Sequence, residues 1–177
     1  NFFKIFADQK GLTSDISLDP QDRFNAKDYA KFLNKCKFQL GTEAGTDYFE
    51  LTDATRYSVN SYLDSRQADW SEIYELFFRS KEKLPLRLIT GRNIEAAACG
   101  TIQLLFEGDY NGFLIPDVHY IPVKKDFSNI LEVEKKINDL KLLEEIRTNC
   151  FALIEESFLD KHILKRIHNI LLNYLNK

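Results

Sequence analysis

The chain has 177 residues, of which 44% are hydrophobic and 29% are charged, with 24 Lys and Arg against 27 Asp and Glu. This composition is typical of one packed domain, and it excludes a disordered or collagen-like chain. The formal charge is −3 and both signs are interspersed, so there is no basic field to attract a nucleic-acid backbone, and we expect no nucleic-acid partner.

The cysteines and the apolar segments indicate the compartment. Cys36, Cys99 and Cys150 lie far apart, which is typical of reduced thiols in a cytoplasmic protein. No apolar run is long enough for a signal peptide or a membrane helix. The chain has no Met and begins with Asn1, so we expect residues 1–177 to be a single domain from a longer protein.

The first half of the chain predicts two capped helices and one strand. Asn25 is placed to cap a helix, and residues 37–41 follow it as a short strand. Asp69 begins the capping-box pattern Asp-Trp-Ser-Glu and opens a helix that ends near residue 79. The polar stretch 42–68 predicts a long loop, and loops of that length often face a ligand.

The second half alternates strands and helices. Residues 86–90 and 101–106 are strand-like, and an Ala-rich helix over 94–99 lies between them and is stopped by Gly100. A turn cluster over 107–112, a strand over 118–123, and helices over about 129–138, 141–156 and 160–175 follow. This alternation predicts an α/β fold with a Rossmann-like, mainly parallel sheet flanked by helices and with a helical C-terminal end. Ligands of such sheets bind at the carboxyl ends of the strands.

Several common signatures are missing from the sequence. There is no Gly-x-Gly-x-x-Gly, P-loop, His-Glu-x-x-His, Gly-x-Ser-x-Gly or Asp-x-Asp motif. His119, His162 and His168 have no metal-ligand spacing with the cysteines. We therefore expect neither a metal ion nor a cofactor.

The most informative segment is 90–101, which predicts a phosphate-binding turn at the start of a helix. The turn would comprise Gly91 to Asn93, because unpaired backbone N–H groups at a helix N-terminus favour an anion. Arg92 would add a forked cationic donor, and Glu95 could accept hydrogen bonds from two neighbouring sugar hydroxyls. A structural interpretation stays open, because the helix dipole alone favours Glu95 and Arg92 could be a surface charge.

Two further segments are candidates for contact with a ligand or a surface. Glu43 and Thr46 follow the first strand in a Gly-containing turn and could reach the same rim of the sheet, although ordinary turn chemistry explains them equally well. The helix over 160–175 has a basic face with Lys161, His162, Lys165, Arg166 and His168. It allows two interpretations: weak contact with a membrane surface, or a solvated helix that packs on the domain.

Two stretches of sequence resemble a known family. Residues 92–101 read Arg-Asn-Ile-Glu-Ala-Ala-Ala-Cys-Gly-Thr, and residues 107–116 read Glu-Gly-Asp-Tyr-Asn-Gly-Phe-Leu-Ile-Pro. They resemble the donor-binding C-terminal domain of GT-B glycosyltransferases of the group-1-like, bacterial polysaccharide type. That group's pattern is Arg-x-x-Glu-Ala-x-x-x-x-Thr followed by Glu-Gly-x-Tyr-x-Gly-x-Leu-x-Pro. The resemblance is closest over about 84–129.

The resemblance implies a function and a set of partners. Glu95 would bind the ribose of a nucleoside-diphosphate sugar, and Thr90, Gly91, Arg92 and Asn93 would lie beside the diphosphate or the donor sugar. The activity would be that of a hexosyltransferase, with a glycan, a lipid-linked molecule or a protein as acceptor. An N-terminal GT-B domain outside this chain would complete the enzyme, in the cytoplasm and in peripheral contact with the inner face of the membrane.

One position departs from the family's pattern. Many retaining members carry a second glutamate eight residues before the ribose-binding one, and here that residue is Arg87. The rival hypothesis is therefore a non-catalytic α/β interaction or phosphate-binding module with the same fold. The sequence indicates no catalytic residue, no particular nucleotide, sugar or acceptor, and no stereochemical outcome.

Overall fold

A computed structural model describes residues 2–17 and 19–175. The helices of this part of the chain are α1 (Phe2–Gln9), α2 (Ala26–Leu33), α3 (Ala54–Ser65), α4 (Trp70–Phe77), α5 (Gly91–Ala98), α6 (Ile130–Ile137), α7 (Leu140–Ser157) and α8 (Asp160–Leu175), with a 3₁₀ turn over Pro20–Asp22. The strands are β1 (Phe38–Gly41), β2 (Ala44–Thr46), β3 (Leu86–Leu88), β4 (Ile102–Phe106) and β5 (Ile121–Val123).

Three strands form a parallel sheet with β4 in the middle. The strand order is β1-β4-β5, and Leu104 of β4 lies level with Leu40 on one side and Ile121 on the other. Helices flank this sheet, so the predicted α/β, Rossmann-like architecture with a helical C-terminal end is confirmed. None of the described helices combines the length and the apolar character needed to cross a lipid bilayer.

The core covers both faces of the sheet. Ile102 and Leu104 of β4 pack in one cluster with Val133 of α6, whereas Leu105 packs in another with Ala97 of α5. Because successive side chains of a strand point to opposite faces, these two clusters bury β4 from both sides. Such double burial is typical of parallel sheets covered by helices.

Local signals set several element boundaries as predicted. The Asn25 side chain accepts a hydrogen bond from the backbone N–H of Asp28 at 3.0 Å, and Asp69 accepts one from the N–H of Glu72 at 2.8 Å. Each bond satisfies a helix N–H that has no carbonyl partner. Gly100 has a φ of 70° directly after α5, where a side chain would be strained.

The prediction of a long loop over 42–68 is wrong. This stretch contains β2 and the helix α3. β2 pairs with β3 in an antiparallel two-stranded sheet, with Gly45 opposite Arg87, so β3 does not belong to the parallel sheet. No residue of α3 is buried, which is why its sequence has no apolar periodicity to reveal it.

Two other predicted boundaries differ in the structure. The strand predicted over 118–123 shortens to β5, because residues 117–119 form a turn closed by a hydrogen bond from the N–H of Asp117 to the carbonyl of Tyr120 at 2.8 Å. The turn predicted over 91–93 is the first turn of α5 itself, which begins at Gly91 and has Thr90 as its N-cap residue.

Candidate functional site

The segments that follow the three parallel strands meet at one carboxylate. Glu43 lies just after β1, and its Oε2 accepts a hydrogen bond from the backbone N–H of Asp109, in the turn after β4, at 2.5 Å. Its Oε1 lies 3.3 Å from the Nζ of Lys125, which follows β5. Glu43 therefore ties together the carboxyl ends of all three strands, the edge where ligands of parallel sheets bind.

This arrangement requires a glycine next to Asp109. A Cβ added to Gly108 would lie 2.3 Å from Oε2 of Glu43 and 2.6 Å from its Cδ. The Glu43 side chain is only 13% exposed, and moving it aside would break its contacts with Asp109 and Lys125. The sequence pattern Glu-Gly-Asp thus has a structural reason: the glycine lets a carboxylate from another strand reach the backbone.

Arg87 extends the same network toward the β2–β3 pair. Its Nε lies 3.7 Å from Oε1 of Glu43, and its Nη2 lies 2.5 Å from Oδ1 of Asp47. The hydrogen bond to Asp47 raises the pKa of the Arg87 guanidinium, so the side chain stays charged. Residues 42–47 and Arg87 line a cleft of about 300 Å³.

The two candidates Glu43 and Thr46 both line this cleft, but their polar groups are already bonded. The Thr46 hydroxyl donates to the carbonyl of Tyr48 at 2.7 Å and accepts from its N–H at 3.1 Å. Glu43 makes the three contacts described above. In this conformation both residues stabilise the rim of the sheet, and their role toward a ligand stays a prediction.

The Asn93 side chain is buried and hydrogen-bonded at the start of α5. It is 3% exposed, and its Oδ1 accepts hydrogen bonds from the N–H and the hydroxyl of Thr90 at 3.0 and 2.8 Å. Its Nδ2 donates to Oε1 of Gln103 in β4 at 2.9 Å, and Gln103 is itself fully buried. The Asn93 amide therefore connects the first turn of α5 to the sheet, and both ends of the amide are engaged inside the protein.

A second asparagine joins the turn after β4 to the segment that leads from β3 into α5. Asn111 lies in the turn after β4, and its Oδ1 accepts a hydrogen bond from the N–H of Ile89 at 2.7 Å. Its Nδ2 donates to the carbonyl of Arg87 at 3.1 Å. Asn111 has a φ of 57°, a conformation that asparagine adopts more readily than most residues. These two hydrogen bonds could not be predicted from the sequence, in which Asn111 stands out only as part of a turn-like Asn-Gly pair.

Arg92 and Glu95 lie on one side of α5 and are exposed. Residues three apart are neighbours on a helix surface, and both side chains act on the Tyr29 phenol of α2. Burial raises the pKa of Tyr29; among the smaller effects, Arg92 lowers it and Glu95 raises it. Neither the Arg92 nor the Glu95 side chain forms a hydrogen bond or ion pair with another residue of the described ranges.

The structure thus divides the seven predicted site residues into two groups. The first, Glu43 and Thr46, lines the cleft at the carboxyl edge. The second is the start of α5, where Thr90 and Asn93 hold the helix, Gly91 opens it, and Arg92 and Glu95 point outward beside Tyr29. Tyr29 was not predicted as part of a site, because its nearness to the charges of α5 depends on how α2 packs.

Two other results bear on the site's chemistry. Within residues 2–17 and 19–175, no three His, Cys, Asp or Glu side chains lie close enough together to hold a metal ion. His119 accepts a hydrogen bond at Nδ1 from the N–H of Ile115 at 3.0 Å, and burial lowers its pKa. His119 thus has a place in the fold of the turn before β5.

Comparisons with known proteins leave the family open. No protein-family model matches this sequence, and a search among curated proteins found no significant match. The resemblance to GT-B glycosyltransferases therefore stays a prediction based on the residues of the two motifs.

Proposed function

We propose that this chain is the donor-binding domain of a GT-B glycosyltransferase and that it binds a nucleoside-diphosphate sugar beside α5. The observation that carries the proposal is the pair Arg92 and Glu95: two exposed, opposite charges on one side of a helix that starts beside the carboxyl edge of a parallel sheet, without a hydrogen-bonding partner in the described chain.

In this proposal each group of the pair has a distinct role. The Glu95 carboxylate accepts hydrogen bonds from the two ribose hydroxyls, and the Arg92 guanidinium binds the diphosphate with its forked donors. The backbone N–H groups of Gly91 and Arg92 belong to the first turn of α5 and add partial positive charge.

These groups would act on the reaction by stabilising the leaving group. A departing nucleoside diphosphate gains negative charge, and donors that already point at it lower the barrier to transfer. The acceptor would be a glycan, a lipid-linked molecule or a protein. An N-terminal GT-B domain outside this chain would bind it and supply any general base. The chain alone is expected to bind donor more readily than it transfers sugar.

A second candidate function is a phosphate-binding or interaction module without transfer chemistry. The observation that favours it is Arg87, which stands where many retaining family members have a glutamate. Its guanidinium is engaged with Asp47 and Glu43. Such a module would bind phosphate groups and ignore the ribose.

A thermal-shift titration with UDP, GDP and their sugar conjugates tests the proposal. We expect a ligand-dependent rise in melting temperature for the wild-type chain, and its loss in Arg92→Ala and Glu95→Gln. Glu155→Gln is the matched control, because Glu155 is equally exposed on α7, and it should keep the full shift. If none of these ligands raises the melting temperature, or if Glu95→Gln responds like Glu155→Gln, the assignment is wrong.

The same titration separates the two candidates. Inorganic pyrophosphate contains the phosphate groups without the nucleoside. A shift that pyrophosphate reproduces in full, and that Glu95→Gln leaves intact, favours the phosphate-binding module over the donor-binding domain.

A further inference from the structure

The turn after β4 contains a chemically reactive pair of residues. Asn111 is followed by Gly112, the one Asn-Gly pair in the sequence, and both residues are exposed. The backbone nitrogen that follows an asparagine can attack the carbonyl carbon of its side-chain amide. A glycine hinders this attack least, because it has no side chain. The surface of the protein therefore presents both reactants of an intramolecular deamidation.

The attacking nitrogen is not engaged in the fold. Within the part of the chain that the structure describes, the N–H of Gly112 donates to no acceptor. Its neighbours differ, because the N–H of Asn111 donates to Oδ1 of Asp109 at 2.9 Å. The N–H of Phe113 likewise donates to the carbonyl of Tyr110 at 3.1 Å. The nitrogen of Gly112 must lose its proton to attack, and no internal hydrogen bond retains that proton.

The attacked amide, in contrast, is held at both ends. Oδ1 of Asn111 accepts a hydrogen bond from the N–H of Ile89, and Nδ2 donates one to the carbonyl of Arg87. A bond between Cγ and the Gly112 nitrogen closes a succinimide ring and draws the whole amide away from these two partners. The closed turn therefore slows the reaction, and the minor population in which both hydrogen bonds are open reacts readily.

We propose that Asn111 is a deamidation site and that opening of this turn controls its reaction. The Gly112 nitrogen bonds to Cγ of Asn111 and loses its proton, while the Cγ–Nδ2 bond breaks and the amide group leaves as ammonia. Water then adds to one of the two carbonyl carbons of the succinimide and opens the ring. The products are aspartate and isoaspartate, so asparagine and water are converted into either acid and ammonia.

Either product releases the segment that leads from β3 into α5. Aspartate has no N–H to donate to the carbonyl of Arg87, and it places a charged oxygen beside that carbonyl. Isoaspartate moves one methylene group from the side chain into the main chain, so its carboxylate no longer has the length that reaches both partners. An unmodified turn can close again, whereas a modified turn stays open.

The inference goes beyond the proposed donor binding and does not depend on it. It concerns the link between the turn after β4 and the end of β3, and it uses neither Arg92 nor Glu95. A chain that binds no nucleotide would still deamidate at Asn111.

Peptide mass spectrometry of the whole chain measures the reaction, after incubation at mildly alkaline pH in buffer or in guanidinium chloride. In the unfolded chain, Asn111 should react faster than Asn60, the comparison site, which is followed by Ser61. In the folded chain, Asn111 should still react, but about tenfold or more slowly than in the unfolded chain, in proportion to the population of the open turn.

Hydrogen exchange measures the effect of the product on the fold. The deamidated chain gains one negative charge, so anion exchange separates it from the unmodified chain. Its amides over residues 86–90 should exchange about threefold to tenfold faster, as expected for the loss of a hydrogen bond. Asn111→Asp should reproduce the aspartate product. Asn60→Asp is the matched control, because Asn60 is exposed on α3, and it should leave this exchange unchanged.

Results at either step would overturn the proposal. Equal rates at Asn111 in the folded and unfolded chains would show that the turn does not control the reaction. No reaction at Asn111 in the folded chain, or a rate no higher than that of Asn60 in the unfolded chain, would show that it is not a deamidation site. A deamidated chain that exchanges like the unmodified chain would show that the product does not release the segment after β3.

Discussion

Glu43 fills the space that a side chain on Gly108 would occupy: its Oε2 lies 2.3 Å from the position of a Cβ on that glycine. The same oxygen accepts the hydrogen bond from the N–H of Asp109. The end of β1 and the turn after β4 are therefore fitted to each other, and Lys125 adds the end of β5 to the same contact.

Gly108→Ala should destabilise the chain by about 1–3 kcal/mol, because the added methyl group must displace the Glu43 carboxylate from its partners. In a Glu43→Ala background the same change should be close to neutral, because the atoms that the methyl group meets are gone. Urea unfolding of the four proteins in this cycle measures the coupling. Equal costs in the two backgrounds would show that the two residues are not fitted to each other.

Asn93→Ala should lower the free energy of unfolding by about 2–3 kcal/mol, because it leaves the Gln103 amide and the Thr90 N–H without their partner. Asn169→Ala is the matched control: Asn169 is exposed on α8, and its loss should cost less than about 0.5 kcal/mol. If both variants unfold at the same urea concentration, Asn93 is not the link between α5 and the sheet.

Arg87→Glu restores the residue that many retaining family members have at this position, but we expect it to loosen the β2–β3 pair. The change would place a third carboxylate beside Asp47 and Glu43 and remove the cation that both contact. Hydrogen exchange should become faster over residues 44–88. Arg79→Glu, at an exposed arginine just after α4, should leave the exchange of β2 and β3 unchanged. If Arg87→Glu does not change that exchange either, these ion pairs do not hold the strands.

Stability should fall at alkaline pH because of two groups in one apolar cluster, Cys150 and Tyr120. Burial raises the pKa of the Cys150 thiol to about 11 and that of the Tyr120 hydroxyl to about 12. In the unfolded chain such groups titrate near about 8.5 and 10. Above those values the folded chain holds more protons than the unfolded chain, so the free energy of unfolding decreases as pH rises.

Guanidinium unfolding between about pH 7 and pH 11 measures this slope. Cys150→Ala should reduce the part of the decrease that begins near pH 8.5, and Tyr120→Phe should reduce the part that begins near pH 10. Tyr110 contributes to the second part as well, because burial also raises its pKa. Wild-type stability that is flat over this range would contradict the account.

Those parts of the fold that depend only on residues close together in the sequence could be predicted. The caps at Asn25 and Asp69 and the terminator Gly100 are signals within one turn of the chain. The helix α3 was missed because an exposed helix needs no apolar stripe. The pairing of β2 with β3 was missed because it joins Gly45 to Arg87 across the helices α3 and α4, and a local pattern carries no sign of such a partner.

The candidate site was predictable to the same degree. The spacing of Arg92 and Glu95 places them on one side of a helix, and in the structure both are exposed on α5. The burial of Asn93 was not predictable, because its partner Gln103 lies on the next strand. The contacts of Glu43 were not predictable either, because the backbone N–H of Asp109 and the side chains of Arg87 and Lys125 come from three other segments of the chain.

The most direct test of donor binding removes the ribose hydroxyls and the Glu95 carboxylate separately and together. Calorimetric titration would compare UDP or GDP with its 2′,3′-dideoxy analogue, on the wild-type chain and on Glu95→Gln. The account predicts that the wild-type chain binds the nucleotide more tightly than the analogue by about tenfold or more, as expected for hydrogen bonds to a charged group. Glu95→Gln should lose most of this preference. An equal preference in both proteins, or no binding by either, would contradict the assignment of Glu95 to the ribose.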